Sequence, residues 1–194
     1  MVSRQEYFNL VNFGMQTATR SIKGSVTGSS PATADERDHV QVIIEQIRRA
    51  KARNVTVQYL LPMSQDKIAI ASKYREAGAE IRFHPGLLVN DIRFVTIDSK
   101  YSVLGLPGAA GQNEPTREGY AIPSEGLAQI LLQQFEGNWV KAVEYEDYLR
   151  DVLLEIKSHN PRVSCHLLSS QFEVAKFEVN KVLATAQTSS QRQA

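Results

Sequence analysis

The residues best suited to chemistry lie in one stretch of the chain, residues 79–108: His84 in a His-Pro-Gly turn, followed by Asp91, Arg93 and Asp98. A guanidinium such as that of Arg93 binds anions, and the carboxylate of Asp98 could orient it. The competing interpretation is a plain ion pair of Arg93 with Asp91 or Asp98 on one strand face. His84, Asp91 and Asp98 lack the close spacing of known metal ligands, so no metal site is predicted.

A predicted β-hairpin positions these residues. Ile92, Phe94 and Ile97 alternate with polar residues, the segment 98–100 has the composition of a tight turn, and a further strand covers residues 101–106. Two alternating runs joined by so short a turn are typical of an antiparallel hairpin. The three polar candidates after His84 therefore belong to a single strand and its turn.

The spacing Asp91-x-Arg93-x4-Asp98-x6-Gly105 resembles the motif of the phospholipase D superfamily, His-x-Lys-x4-Asp-x6-Gly-Ser-x-Asn. Asp91 stands where the family has its nucleophilic His, and Arg93 where it has Lys. Asp98 and Gly105 match outright. The family's Ser and Asn are replaced, by Leu106 and Gly108.

The flanking segments AGAEIRF and REGYAIPSEGLAQILLQQFEGNW are also similar to those of the phospholipase D-like effector domains of TrmB-type archaeal regulators. The resemblance covers roughly residues 5–142. Because the motif is degenerate, the resemblance implies the fold rather than the reaction. It implies an α/β fold: a phospholipase D-like α/β sandwich with a mixed sheet of six or seven strands, helices on both faces and the motif hairpin central.

The resemblance also implies what catalysis would need. Phospholipase D enzymes use two copies of the motif, and one His attacks phosphorus while the other protonates the leaving oxygen. An imidazole suits both roles near neutral pH. Asp91 is ionised there, so it would repel a phosphodiester, and the chain holds one copy of the motif. We therefore expect no enzymatic activity, and ligand binding at His84, Asp91, Arg93 and Asp98.

Predicted strands and helices alternate through the first part of the chain, as in an α/β sandwich with parallel pairing at its centre. The predicted helices cover residues 3–21, 33–53 and 64–77, with Ser3 and Gly78 as caps, and the predicted strands cover 21–28 and 55–61. The two glycines of the first strand, Gly24 and Gly28, suggest a close backbone approach or a bulge.

After residue 123 the pattern is helical. From the N-cap Ser124 one apolar stripe continues to Ile156 with a kink at Gly137, and a last helix covers residues 168–186. This is more helix than one small domain needs. We therefore divide the chain into a phospholipase D-like α/β domain (1–142), a C-terminal helical extension (143–186) and a disordered tail (187–194).

Composition limits the classes of protein to which the chain can belong. The 194 residues carry a formal net charge of +1, which does not indicate a nucleic-acid-binding surface. The single cysteine, Cys165, suits a reducing compartment, and no apolar run approaches the ~18–20 residues that span a bilayer, so we expect a cytoplasmic protein. No phosphate-binding glycine loop, Walker motif or serine nucleophile elbow is present, so no cofactor is predicted.

Three functional hypotheses follow. The preferred one is a non-catalytic phospholipase D-like sensor or interaction domain with a regulatory or assembly role, which binds a small anionic or sugar ligand or a protein partner. The second is an oligomeric scaffold, and the third is a phosphodiesterase or nuclease with unconventional active-site residues.

A homodimer is the expected assembly. Single-motif chains of the superfamily resemble one another in pairing about a twofold axis, with their motif hairpins facing each other. Apolar residues after Trp139, among them Leu149, Leu153, Phe172 and Val179, would also leave a large exposed patch if these helices were isolated. The alternative is that they pack on their own domain. On the dimer hypothesis, Leu153→Asp weakens the dimer and Arg93→Ala leaves it intact.

Overall fold

The computed structural model describes residues 4–26, 34–87, 93–106 and 118–191. Within these ranges the strands are β1 Ser21–Ser25, β2 Thr56–Pro62, β3 Glu80–His84, β4 Arg93–Ile97, β5 Tyr101–Leu106, β6 Glu118–Ile122 and β7 Val143–Glu144. The helices are α1 Arg4–Thr17, α2 Ala34–Ala52, α3 Ile68–Glu76, α4 Glu125–Trp139, α5 Tyr145–His159, α6 Cys165–Phe172 and α7 Lys176–Gln191.

The described strands form one mixed sheet with the order β6-β5-β4-β1-β2-β3-β7. Strands β1, β2 and β3 are parallel, β4 to β6 form an antiparallel meander beside β1, and β7 pairs antiparallel with β3. The direction of pairing therefore changes at β1. The predicted mixed α/β sheet, with the hairpin β4–β5 in its interior, is confirmed.

Gly24 shows why β1 and β4 can lie side by side. A Cβ atom at this position would lie 2.9 Å from the carbonyl oxygen of Phe94 and 3.1 Å from Cγ2 of Val95. No side chain fits in that space, so the close backbone approach predicted for this strand is confirmed at Gly24. Gly28 lies outside the described residues, as does the predicted N-cap Ser3.

The two faces of the sheet are covered differently. Helices α1 and α2 pack on one face, where the main core includes Met15, Ile22, Ile47 and Leu61. Among the described helices, α4 covers the other face, and its Leu131 and Phe135 pack with Leu60 and Phe94. Alternate residues along each strand thus enter different cores.

The C-terminal helices pack on the main core. Four of their side chains are 0% exposed and belong to the same apolar cluster as the sheet face that α1 and α2 cover: Leu149, Leu153, Leu168 and Val179. Arg75 of α3 forms ion pairs with Glu146 of α5 and, at 2.9 Å, with Glu178 of α7. The alternative given for these helices, that they pack on their own domain, is therefore what the structure shows, and their apolar faces do not supply a patch for a dimer.

The single long helix predicted after Ser124 is also wrong. Helix α4 runs through Gly137 without a break and ends at Trp139, and the strand β7 separates it from α5. The break arises because Val143 and Glu144 pair with Phe83 and Arg82 at the edge of the sheet, a tertiary contact that overrides the helical pattern.

The last predicted helix is likewise two helices. Glu173 adopts a left-handed conformation with φ of 51° between α6 and α7. Helix α7 then continues to Gln191, into the segment 187–194 for which composition predicted a disordered tail.

The two helix caps predicted at Ser124 and Gly78 agree with the structure. Ser124 accepts a hydrogen bond from the backbone N–H of Leu127 at 3.3 Å, and Gly78 follows α3 with φ of +108°. Both residues have the capping roles predicted for them. In the part of the chain that the structure describes, no helix combines the length and apolar character needed to cross a membrane.

Candidate functional site

The carboxyl ends of the parallel strands are where an α/β sheet of this kind binds ligands. Strand β1 ends there at Ser25, β2 at Pro62 and β3 at His84, and the antiparallel strand β4 begins there at Arg93. This edge includes the point at which the pairing changes from parallel to antiparallel. We call it the carboxyl edge.

Arg93 opens β4 at the carboxyl edge. Its partner in the β5 register is Gly105, so the residue next to Arg93 on that strand has no side chain. By strand alternation Arg93 shares the sheet face of Val95 and Ile97, and its side chain is half-buried. The arginine predicted to bind an anion thus lies at the edge where the fold favours a ligand.

Asp98 lies at the other end of β4 and has a different environment. Its Oδ1 accepts hydrogen bonds from the backbone N–H groups of Arg20 at 2.7 Å and Ser21 at 2.9 Å. Its Oδ2 accepts from the backbone N–H of Thr19 at 2.9 Å and from the Thr19 hydroxyl at 2.8 Å. Both carboxylate oxygens therefore hold the segment that leads into β1.

The electrostatics of Asp98 agree with this role. Burial alone would raise the pKa of Asp98, but the hydrogen bonds from Ser21, Thr19 and Arg20 outweigh it and lower the pKa below its ordinary value of 3.8. The backbone of Asp98 is left-handed, with φ of 53°, as is that of Ser99. Asp98 is thus a turn residue whose charged form joins the β4–β5 hairpin to β1.

This arrangement corrects one detail of the sequence interpretation. Asp98 is five residue steps from Arg93 along the extended chain, which is roughly 17 Å at 3.4 Å per residue. Asp98 therefore does not orient Arg93.

His84 ends β3, on the far side of β1 and β2 from Arg93. Its Nδ1 accepts a hydrogen bond from the backbone N–H of Gly86 at 3.0 Å, so the ring closes its own turn. Three strand spacings of ~4.8 Å place His84 roughly 14 Å from Arg93 across the sheet. By alternation His84 shares a face with Arg82, the face opposite to Phe83 and to Arg93.

Asp91, the residue at the position of the family's nucleophile, lies outside the described residues. Among the other three candidates, the structure places Arg93 and His84 at the carboxyl edge but on opposite faces, and Asp98 at the other end of β4. The fold does not gather them into one cluster. In the described part of the chain no group of three or more His, Cys, Asp or Glu side chains is arranged to hold a metal ion.

Two polar arrangements were missed by the sequence analysis. Under α4, Lys23 of β1 forms an ion pair with Glu136 and lies 5.9 Å from the ring centre of Phe135. The only sequence signal was a lysine within a strand of small and apolar residues. Its neighbour in the β4 register, Thr96, is buried and donates to the carbonyl oxygen of Lys23 at 3.1 Å.

The second arrangement lines a cavity of about 330 Å³ near the start of β3. The Arg82 guanidinium lies 4.8 Å from the ring centre of Trp139 and pairs with Glu144 at 2.8 Å. Arg75 lies 5.0 Å from the ring centre of Tyr145 and pairs with Glu146. Each guanidinium is therefore stacked on an aromatic ring and neutralised within the chain, which indicates a structural role.

The basic end of α2 is also engaged within the chain. Arg49 forms an ion pair with Glu45 at 3.0 Å, and Arg53 donates to the carbonyl oxygen of Met15 at 2.8 Å. These contacts hold α2 together and join its end to α1. The Arg48 and Arg49 side chains are nevertheless 59% and 60% exposed, so this end of α2 still presents positive charge to solvent.

Comparison with known proteins identifies the fold. No protein-family model and no curated protein matches the sequence. Among solved structures, Nuc from Salmonella typhimurium, a phospholipase D family member, is similar with a TM-score of 0.53 and 17% identity, over 71% of this chain and 89% of that one.

TrmBL2 is an archaeal chromatin protein with a novel mode of DNA binding. It is similar with a TM-score of 0.53 and 17% identity, over 74% of this chain. The match spans 52% of the TrmBL2 chain, about half its length. Together the two structures confirm the phospholipase D-like fold and its likeness to TrmB-type proteins. At this level of identity they bear on the fold alone.

Proposed function

We propose that this phospholipase D-like domain is a non-catalytic sensor or interaction domain, which acts in regulation or assembly and binds a small anionic ligand at Arg93. The observation that carries the proposal is the role of Asp98. Its two oxygens accept four hydrogen bonds from residues 19–21, so the best-matched polar residue of the motif has a purely structural explanation.

The other motif positions support the same conclusion. Gly105, which also matches, lies opposite Arg93 in the β4–β5 register. The two positions at which the family needs an imidazole and an amine hold Asp91 and Arg93 instead. The residues that the motif shares with the family therefore support the hairpin, and those that differ are the ones that would carry the reaction.

Arg93 supplies the chemistry of the proposed site. A guanidinium offers several N–H donors in a planar fork that suits carboxylate, sulfate and phosphate oxygens. Arg93 begins β4 at the carboxyl edge, where the pairing direction changes beside β1, and ligands bind in sheets of this kind at such points. An anionic ligand, such as a sugar phosphate or a nucleotide, fits this position better than a neutral one.

Two alternatives have less support. The scaffold hypothesis relied on apolar C-terminal helices left exposed, and those helices are packed on the main core. DNA binding, as in TrmBL2, would need an extended basic surface, whereas the chain has a net charge of +1. The setting we propose is cytoplasmic, in keeping with the single cysteine.

Thermal denaturation with added anions tests the binding proposal. Inorganic phosphate, sugar phosphates and nucleoside monophosphates are screened against the full chain. A ligand at about 100 times its Kd stabilises the folded state by about 2.7 kcal/mol, which for a chain of this size raises Tm by roughly 5–10 °C. We expect Arg93→Ala to abolish the shift and Arg93→Lys to retain part of it.

Arg162→Ala is the matched control, because Arg162 is an exposed arginine after α5, away from the sheet. It should leave the shift unchanged. No shift with any of the anions, or a shift that survives Arg93→Ala, would contradict the proposal.

A further inference from the structure

A further cavity lies where the α/β part of the chain meets its C-terminal helices. It has a volume of about 360 Å³ and is lined by residues of α3, α5 and α7 and of the turn before α7. Cavities of about 300–1,000 Å³ are typical of small-molecule sites, in which a few polar groups converge on an apolar surface. We call this one the α7 cavity.

One end of the α7 cavity holds more carboxylates than cations. Arg75 of α3 pairs with Glu146 in the first turn of α5, and with Glu178 in the first turn of α7, the latter at 2.9 Å. Glu76, the last residue of α3, adds a third carboxylate to the lining. Burial raises the pKa of the Glu178 carboxyl above its ordinary value, and Glu146 and Glu76 raise it further although Arg75 opposes them. One guanidinium is thus shared among three carboxylates. We call this the acidic end.

The other end of the cavity carries positive charge. Helices α5 and α7 both start at the acidic end, and Arg150 and Lys181 follow the glutamates of their helices by four and three positions. At 1.5 Å per residue this is roughly 4.5–6 Å along each helix. Arg150 pairs with Asp147 at 2.8 Å and with Asp151 at 3.7 Å, but a guanidinium has more N–H donors than these contacts use. Since Lys181 is exposed, donors for a ligand carboxylate remain at this end.

The cavity also has an apolar wall. Val182 is buried and Ala175 half-buried, whereas Phe177 is 75% exposed. A phenyl ring this exposed adds little to the core, and covering it would remove apolar surface from water. An apolar group of a ligand that packs on Phe177 would therefore gain free energy from the contact.

We propose that the α7 cavity binds a small zwitterion with an apolar body, namely a free amino acid with an aliphatic or aromatic side chain. The ammonium group lies among the carboxylates of the acidic end, and the carboxylate accepts hydrogen bonds from Lys181 and Arg150. The side chain packs on Phe177 and Val182. A simple anion would be repelled at the acidic end and a simple cation at the other, so a ligand with both charges fits best. The proposal does not depend on ligand binding at Arg93.

Isothermal titration calorimetry with the full chain tests the proposal. The probes are L-leucine, L-phenylalanine and two analogues of the latter that each lack one charge: phenethylamine has no carboxylate, and phenylpropionate has no ammonium group. We expect at least one of the two amino acids to bind with a Kd below about 1 mM. Both analogues should bind roughly tenfold more weakly than L-phenylalanine. No binding of either amino acid, or an analogue that binds as tightly as L-phenylalanine, would overturn the proposal.

The exposed residues of the cavity give variants that should keep the fold. Lys181→Ala and Phe177→Ala should each raise the Kd of the amino acid roughly tenfold. The matched controls, Lys176→Ala on the same helix and Leu167→Ala on α6, change exposed residues outside the cavity lining and should leave the Kd unchanged. Arg93→Ala should also bind like wild type, which separates this site from the one proposed at β4. Binding that survives both cavity variants, or that the controls weaken equally, would contradict the proposal.

Discussion

Leu153→Asp should unfold the protein rather than merely separate its copies. Leu153 of α5 is 0% exposed and belongs to the main core with Phe83 and Leu149. The substitution removes a buried leucine and places a carboxylate among apolar side chains, and the lost packing alone is worth about 2–5 kcal/mol. Burying the charge without a partner adds to this. Since domains are stable by only about 5–15 kcal/mol, most of the stability is at stake.

The neighbouring residue provides a matched control. Leu154 is 41% exposed, so Leu154→Asp makes the same chemical change one position away on the outer side of α5. Urea denaturation followed by circular dichroism should show a much lower midpoint for Leu153→Asp and a nearly unchanged one for Leu154→Asp. A folded, monomeric Leu153→Asp of wild-type stability would support a role for Leu153 as a dimer contact and contradict the packing described here.

Asp98→Ala should give the second large loss of stability. The substitution leaves three backbone N–H groups, those of Thr19, Arg20 and Ser21, without the carboxylate that they share. Hydrogen bonds to a charged group contribute about 1.5–3 kcal/mol each. Because several of these are solvent-exposed, we expect Asp98→Ala to lower the free energy of unfolding by about 2–3 kcal/mol in total. Asp98→Asn keeps one carbonyl oxygen and tolerates the left-handed backbone, so it should lose less.

The pH dependence gives an independent check. The folded-state pKa of Asp98 lies below 3.8, so the stabilisation is complete above that pH and is lost as the pH falls through the lower folded-state pKa. The difference in unfolding free energy between wild type and Asp98→Ala should therefore be constant near neutrality and shrink below pH 3.8. Lys100→Ala, at an exposed position of the same turn, is the control. A difference independent of pH would contradict the role of the carboxylate.

This role affects how activity data on the chain should be interpreted. In a family with a conserved motif, loss of activity in Asp98→Ala would normally suggest a catalytic residue. Here the same variant removes the contact between the β4–β5 hairpin and β1, so it is not a valid catalytic control. Asp91→Ala is the suitable variant, because Asp91 stands at the position of the family's nucleophile.

The features that local sequence predicted well are those with local causes. The alternation around Asp98-Ser99-Lys100 predicted the β4–β5 hairpin, the Ser124 hydroxyl predicted the start of α4, and Gly78 predicted the end of α3. Each depends on backbone geometry within a few residues. The fold class followed from the order of such elements together with the motif spacing.

The features that sequence did not predict have causes far along the chain. Asp98 binds residues 77 to 79 positions earlier, so no nearby pattern identified its partners. The break between α4 and α5 depends on pairing of β7 with β3. The apolar stripes of α5 and α7 showed that one face of each helix must be buried, but amphipathicity alone does not specify which surface covers it.

The site was predicted as a set of residue types but not as a cluster. Arg93 and His84 both lie at the carboxyl edge, yet roughly 14 Å apart at ~4.8 Å per strand spacing and on opposite faces. The order of strands sets the distance, because β1 and β2 come between β3 and β4 although they come earlier in the chain. The pairing register sets the faces. The anion-binding proposal therefore depends on Arg93 alone among the described candidates.

Single-turnover hydrolysis tests the central claim, that this domain has the phospholipase D-like fold without its reaction. The full chain is mixed in excess over a chromogenic phosphodiester or a short single-stranded DNA, with and without a chelator. The Asp91→Ala variant is treated in the same way, after its Tm has been shown to equal that of wild type. We predict that wild type and variant both react at the rate of buffer alone. Turnover by wild type that persists with the chelator and is abolished by Asp91→Ala would contradict the claim.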